Sequence, residues 1–600
     1  MRKRTLANLS DLSAAQIEAM RAVLRGDAMQ APGNAFEIIA SRPHGHVQAV
    51  EVCMQRLGFA ALIGSKPSRE RDLVTAMVAA RIVNPQTKLA TTRWWQTTTL
   101  AEQFGVADAN EDDLYAAMDW LLARQDAIQK KLATRHLRAD GLVLYDLSSS
   151  YFEGHCCPLA KLGYSRDGKR GLLQVNYGLL TDPRGCPVAI SVHEGNTSDS
   201  CTFMPAVQKL RDDFGIARMV MVGDRGMISS KTIAELREIE DVGWITALRS
   251  VSIRALVEQG HLQLDLFDQT NLIEISSPDF PEERLVACRN PQLAKKRANV
   301  REDLLAATEV NLAKIKARVD AGKLAGQDRI GLAAGKISNQ YKVAKHFDLV
   351  IGAASFAYTR KQDSIAAEAA LDGLYIIRTS VPVQQMDAPG CVRGYKLLTQ
   401  VERAFRTIKT VDLKVRPIHH RTADRVRAHI FLCMLAYYVE WHMREAWRAL
   451  TFADTDLAAK ATRDPVAPAK RSTSALLKAA RRTLDDGTPV NSFSTLMGHL
   501  LTIVRNTCRT ANADSDAAWS HQPAVGRISL HCWLAQVSQV SLVRSPMGSA
   551  FFLLGPARRS LLEAVAPSAV LASFLSFRWA AQPRQQPRLI WGGPFLVTAP

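Results

Sequence analysis

Three acids, and the cations grouped near the last of them, carry the clearest chemical pattern in this sequence. Gly141-Leu-Val-Leu-Tyr-Asp146-Leu and Met219-Val-Met-Val-Gly-Asp224-Arg-Gly are short apolar runs, each with a single acid near its end. That is the pattern of a buried strand delivering a carboxylate to the edge of a sheet. Burying an unpaired charge is costly, so something positive is expected beside each acid. The third acid, Glu402, lies in Tyr395-Lys-Leu-Leu-Thr-Gln-Val-Glu-Arg-Ala-Phe-Arg406-Thr-Ile-Lys409. At about 100° per residue, Tyr395, Glu402, Arg406 and Lys409 fall within roughly 60° of one another on one helical stripe. Leu397, Val401, Phe405 and Ile408 form the apolar side opposite. Taken alone, that stripe is equally the mark of an ordinary amphipathic surface helix. Taken together, three convergent carboxylates repel one another unless divalent metal neutralises them. Two Mg²⁺ or Mn²⁺ ions about 3.5–4 Å apart would activate an attacking oxygen and stabilise the leaving one at phosphorus. Asp146, Asp224 and Glu402 are the candidate catalytic residues and metal ligands, and Tyr395, Arg406 and Lys409 the candidate phosphate contacts.

The elements that must position these residues are legible in the hydrophobic periodicity. Residues 1–138 read as a helical N-terminal region. Within it, Glu70 to Ile82 is a helix stopped at Asn84-Pro85, and Lys88 to Trp95 is a basic segment with an aromatic end. Helix, turn and basic helix together would suit the binding of a DNA end, with plain helical packing as the alternative. From 139 to 250 the order is three strands, helix, strand, helix, strand: Gly141 to Leu147, Leu172 to Leu180, Pro187 to His193, Ser198 to Phe214, the run ending at Asp224, Ser229 to Ile239, and Trp244 to Leu248. In an open α/β sheet the ends of such strands line the ligand crevice. Residues 251–370 interrupt the pattern. They hold strand-like alternation at Leu262 to Ser276 and Leu285 to Cys288, and a long helix from Pro291 to Val319. The earlier style returns over 371–450, which contains the Glu402 helix. Residues 451–520 read as a linker with C-terminal helices. Over 521–600 Glu563 is the single acid and lysine is absent, so this tail reads as a disordered extension or an out-of-frame segment. Asp199 stands where a helix N-cap would, and Trp244, at a strand start, is placed for core packing.

Composition narrows the partner. The chain has 600 residues, 47% hydrophobic and 22% charged, long enough for several domains with sizeable cores. Its 76 Lys and Arg against 58 Asp and Glu give a net charge of +18. Such an excess favours a polyanionic partner, nucleic acid first. The ten cysteines show no metal-binding spacing. No apolar run approaches the roughly 20 residues needed to cross a bilayer, and no h-region follows the basic N-terminus. A cytoplasmic protein is expected, without a membrane partner.

Tyr-Asp146-Leu-Ser-Ser-Ser-Tyr-Phe-Glu-Gly, Val-Gly-Asp224-Arg-Gly-Met and Tyr395…Glu402…Lys409 resemble the DDE insertion-sequence transposases that carry a Tyr-Arg-Glu-Lys signature. The resemblance extends over about residues 45 to 445 and includes Gly195-Asn-Thr-Ser-Asp199 and Arg416-Pro-Ile-His-His420. It implies an α/β fold: an RNase H-like mixed sheet core flanked by helices, in two parts (139–250 and 371–450). A mainly β inserted domain would lie between them. It implies cleavage of transposon ends in double-stranded DNA and attack of the freed 3′ hydroxyls on target DNA, with at least a dimer when two ends are held. Tyr395, Glu402 and Lys409 fit the signature spacing, but its Arg position holds Leu398. Arg406, one turn beyond Glu402, is the residue able to supply an equivalent charge. A nuclease on the same core, or a DNA-binding relic without catalysis, are the rival readings.

Overall fold

The computed structural model describes residues 36–456, 458, 462–510 and 597–598, together with 17, 20, 21, 24 and 25. The expectation about the tail from 521 therefore lies outside the described residues but for 597–598. The chain divides into two compact units, one of Met1–Ala117, His442–Thr455 and Ala475–Pro600, the other of Met118–Trp441 and Asp456–Ser474.

The first unit joins the two ends of the described chain. Strand β1 (Phe36–Pro43) pairs antiparallel with the strand Val504–Thr510, Pro43 opposite Val504. Among the described residues the remainder of this unit is mostly helical, apart from the two-residue strand Val597–Thr598, while β1 is a strand inside the stretch 1–138 that reads as helical. Ser68 caps Arg69–Val83 by accepting from the Arg71 amide, and Asn84 ends it. The following helix Lys88–Trp94 is short, and it turns Lys88 and Trp95 into the interior. Packing thus claims Lys88 and Trp95, whereas Arg93 stays exposed and Trp94 half-buried.

The second unit is built on one mixed sheet. Its strands are β2 (Gly141–Tyr151), β3 (Lys161–Leu162), β4 (Leu173–Thr181), β5 (Pro187–Glu194), β6 (Met219–Val222), β7 (Val242–Ala247), β8 (Leu272–Ile275), β9 (Arg284–Arg289) and β12 (Leu374–Thr379), with the separate hairpin β10 (Phe347–Ile351) and β11 (Phe356–Arg360). The order is β3-β4-β2-β6-β7-β12-β9-β8, with β5 also on β4. β2, β6 and β7 are mutually parallel; β4 and β5 form an antiparallel meander on one side, and β12, β9 and β8 an antiparallel set on the other. β6 is Val and Met throughout and buried throughout, as a central parallel strand requires.

Residues 251–370 depart from the expected mainly β insertion. Two of their strands, β8 and β9, extend the central sheet through β12. The remainder is dominated by the helices Pro291–Asp320 and Gln327–Gln340, which with the β10–β11 hairpin enclose a core of Leu305, Leu312, Ile315, Phe347 and Phe356. Within Leu262 to Ser276 only Leu272–Ile275 is a strand, and Leu264–Asp268 is a helical turn. Phe267 is buried in that turn, so burial on one side imitated strand alternation. Part of the expected linker is docked: the Lys396 ammonium donates to the carbonyls of Pro465 and Val466 (3.3 Å for the latter), and Asn290 Nδ2 donates to the Val466 carbonyl at 2.9 Å. Among the described residues no helix is long and apolar enough to cross a membrane.

The Gly195-Asn-Thr-Ser-Asp199 motif has a packing reason at its first position. A Cβ on Gly195 would stand 1.9 Å from the Gln174 carbonyl oxygen and 2.7 Å from that of Lys161, both backbone atoms that cannot rotate away. Gly195→Ala is expected to lower stability by about 2 kcal/mol or more in urea unfolding, as overpacking against fixed atoms does. Gly168→Ala, where φ is +70° and a Cβ meets nothing within 4 Å, should cost only about 1 kcal/mol.

Candidate active site

Strand register brings the first two acids together. Leu144 of β2 pairs with Val222 of β6 in parallel. Asp146 and Asp224 lie two residues further along their own chains, hence level with each other. β2 does not stop at Leu147 just past its acid, as the apolar run Gly141 to Leu147 suggested, but continues to Tyr151 opposite Gln174. The strand survives because the serine hydroxyls are satisfied inside: Ser150 Oγ lies 2.8 Å from the Tyr177 hydroxyl, and Ser149 Oγ accepts the Arg166 amide at 3.1 Å. Asp146 thus sits in mid-strand, whereas Asp224 lies just past the end of β6, exposed, its Oδ1 accepting the Arg225 amide at 2.7 Å.

The third acid arrives on a helix that is not continuous. Tyr395 ends the helix Ala388–Lys396, Glu402 and Arg406 belong to Leu398–Arg406, and Lys409 lies on the wider turn Thr407–Val411. The expected single stripe is therefore bent at Leu397 and widened after Arg406. Its apolar side behaves as expected, with Val401, Phe405 and Ile408 all buried. Tyr395 reaches back to donate to Asp224 Oδ1 at 3.4 Å. Burial, and then the charge of Asp224, push its phenol pKa upward, so it stays a donor.

One cavity of about 750 Å³ is lined by Asp146, Asp224, Glu402, Tyr395, Arg406 and Lys409, so all six candidate residues share it. The three carboxylates do not draw within 4.8 Å of one another as a closed cage would. Burial, with a smaller push from Asp224 and Glu402, raises the Asp146 pKa to about 7 against the Leu147 amide and Arg166. In the metal-free protein the protonated Asp146 carboxyl is the form that folding favours. Its stabilising contribution is complete below the unfolded value near 4 and is lost as pH rises through about 7. Glu402 and Arg406 are exposed, and neither side chain has a hydrogen bond or ion pair among the described residues. A hard, oxygen-only donor set with a half-buried carboxylate that resists ionisation fits a divalent cation such as Mg²⁺ or Mn²⁺.

Lys409 is placed differently from Arg406. It is buried, 2.6 Å from Asp167 Oδ1 and 3.1 Å from Ser148 Oγ, and Arg416 pairs with the same Asp167 oxygen. The other Asp167 oxygen accepts the Tyr151 amide at 3.2 Å, and its side chain is 1% exposed. Burial lowers the Lys409 pKa and Asp167 restores part of it. Two cations on one carboxylate leave a net positive charge on this wall. Next to it, Arg166 pairs with Asp199 at 2.5 Å, and Asp199 makes no cap bond to the helix Ser200–Gln208. The cap expectation for Asp199 is corrected: an ion pair holds it to the cavity wall. Leu398 also lines the cavity, an apolar side chain where the signature has a guanidinium. Trp244 is buried in the sheet. Arg166, Asp167 and Arg416 were missed in the sequence reading because each acquires its role through a pairing far along the chain. The Arg416-Pro-Ile-His-His420 motif was the one available signal.

An α/β sheet with an acid-lined cavity where its central parallel strands end is the class of protein defined by this geometry. Residues 148–439 match the family model described as the transposase DDE domain, so this stretch of the chain is similar to the DDE transposases. Asp224 and Glu402 lie within the matched stretch, and Asp146 lies two residues before it. The cryo-EM structure of the piggyBac transposase synaptic complex with hairpin DNA is similar at a TM-score of 0.32 and 9% identity, covering 74% of this chain and 85% of that one. A likeness at that score carries no argument about the site. No curated protein matches the sequence.

Asp167 and Glu402 should separate sharply in stability measurements. Asp167→Asn leaves Lys409 and Arg416 facing each other without their shared carboxylate and should cost about 3 kcal/mol in urea unfolding. Glu402→Gln removes an exposed, unpaired charge and should change stability by no more than about 0.5 kcal/mol.

Proposed function

We propose that the chain binds the terminal inverted repeats of an insertion sequence, cleaves DNA at the ends, and joins the freed 3′ hydroxyls to target DNA by two-metal phosphoryl transfer. The observation that carries this reading is the single cavity shared by Asp146, Asp224 and Glu402, within and at the edge of the transposase DDE domain. The strand order β5-β4-β2-β6-β7, three antiparallel strands followed by two parallel ones, supports an RNase H-like core.

Asp146, Asp224 and Glu402 would hold two divalent ions, Mg²⁺ or Mn²⁺. Bound there, the ions supply Lewis-acid activation of the attacking oxygen and neutralisation of the leaving one. The Arg225 amide and the Tyr395 hydroxyl fix the orientation of Asp224. The exposed guanidinium of Arg406 draws a DNA phosphate to the cavity mouth, where its planar fork suits two phosphate oxygens. Lys409 contributes through the net charge of its group with Asp167 and Arg416. Two ends held for joining require at least a dimer on DNA, and the work is placed in the cytoplasm with the DNA substrate.

Leu398 favours one rival, a DNA-binding relic that leaves its DNA intact, since it removes a signature cation from the cavity. Plasmid cleavage with Mg²⁺ or Mn²⁺ distinguishes the readings. The wild-type chain should nick or cut a donor plasmid carrying its flanking genomic sequence and yield joined products. Asp146→Asn, Asp224→Asn and Glu402→Gln should each abolish cleavage while DNA binding persists. Cleavage retained by any one variant removes that residue from the ligand set; cleavage absent in wild type leaves the relic; cleavage without joined products leaves a nuclease.

A further inference from the structure

We infer that a second phosphate seat, made by Arg225 and Arg249, lies on the far side of Asp224 and holds the DNA backbone after it has crossed the acidic cavity. The inference rests on the proposed reading of that cavity as a DNA-cleaving site and names where its substrate goes next. A smaller cavity of about 320 Å³ is lined by Asp224, Arg225, Gly226, Arg249, Ser250 and Val251. It shares Asp224 with the larger one, so the two adjoin at that residue. Arg225 and Arg249 are both exposed, and among the described residues neither guanidinium has a hydrogen bond or ion pair.

That state contrasts with that of several other arginines of this unit. Arg166, Arg237, Arg284, Arg301, Arg360 and Arg378 are each paired with an acid. Free guanidiniums instead flank the acids on both sides, Arg406 in the large cavity and Arg225 with Arg249 in the small one. A polyanion approaching three carboxylates is repelled unless cations hold it before and beyond them. Phosphodiester oxygens suit the planar fork of Arg, and a backbone contact needs no sequence preference. The first turn of the helix Ser250–Glu258 closes one wall and adds the positive end of its dipole. Gly226 keeps its wall low: a Cβ there would meet only Asp224 Oδ2, at 3.7 Å.

The test uses the full chain, in EDTA, titrated by fluorescence anisotropy with a labelled double-stranded oligonucleotide of arbitrary sequence across a salt series. Each phosphate contact contributes about 0.9 to the slope of log K against log salt. Arg249→Glu should reduce the steepness by about one contact or more, and Arg249→Lys should restore most of it. Arg318→Glu makes the same charge change on an exposed residue of the helix Pro291–Asp320 and should leave the slope as in wild type. Matching melting curves ensure that folded proteins are compared. An unchanged slope in Arg249→Glu, or an equal drop in Arg318→Glu, overturns the second seat while the transposase reading stands. A flat salt response in wild type overturns that reading itself, and the seat falls with it.

Discussion

Asp146 is the constraint to which the rest of the site answers. A carboxylate in the middle of a strand within a buried sheet is costly to ionise, and here burial lifts its pKa to about 7. Two further acids in the same cavity add to that cost. A fold keeps such a cluster only if something outside the chain compensates it, and a hard divalent cation is the chemistry that these oxygens match. The neighbouring elements hold the cluster in place while leaving it open. The parallel pairing of β2 and β6 sets two acids level, the Tyr395 hydroxyl braces one of them, and the Leu398–Arg406 helix brings the third.

Charge is partitioned with the same logic. Near the acids, the cations that organise the wall are committed: Lys409 and Arg416 to Asp167, Arg166 to Asp199. The cations that face solvent are not, and these are Arg406, Arg225 and Arg249. Rigid pairs fix the walls, and free guanidiniums remain for a polyanion. The overall charge of +18 pointed to such a partner without saying where it would bind.

Much of this was legible in the sequence. Apolar runs located β4 to β7 to within a few residues, and the Pro291 helix matched nearly end to end, because burial on fixed faces leaves a periodic trace. All six candidate site residues line one cavity. What escaped was long-range. The apolar run ended at Leu147, yet β2 continues through Ser148 to Ser150, whose hydroxyls Tyr177 and the Arg166 amide engage within the sheet. Lys409 looked like a solvent-facing member of a stripe, and a turn wider than an α-helix directs it instead to Asp167, 242 residues earlier in the chain. No local spacing encodes that pair. The mainly β insertion was what the resemblance implied; two of its strands instead extend the central sheet, and helices dominate the rest.

The central claim is that Asp146, Asp224 and Glu402 together form a two-ion site, and counting bound Mn²⁺ tests it most directly. Electron paramagnetic resonance of the full chain titrated with Mn²⁺ should reveal two ions per chain, spin-coupled as expected for a separation of about 4 Å. Glu402→Gln should weaken or remove one ion, and Asp146→Asn should abolish the coupled pair. Absence of bound Mn²⁺, or binding that survives loss of Asp146 unchanged, would contradict the account.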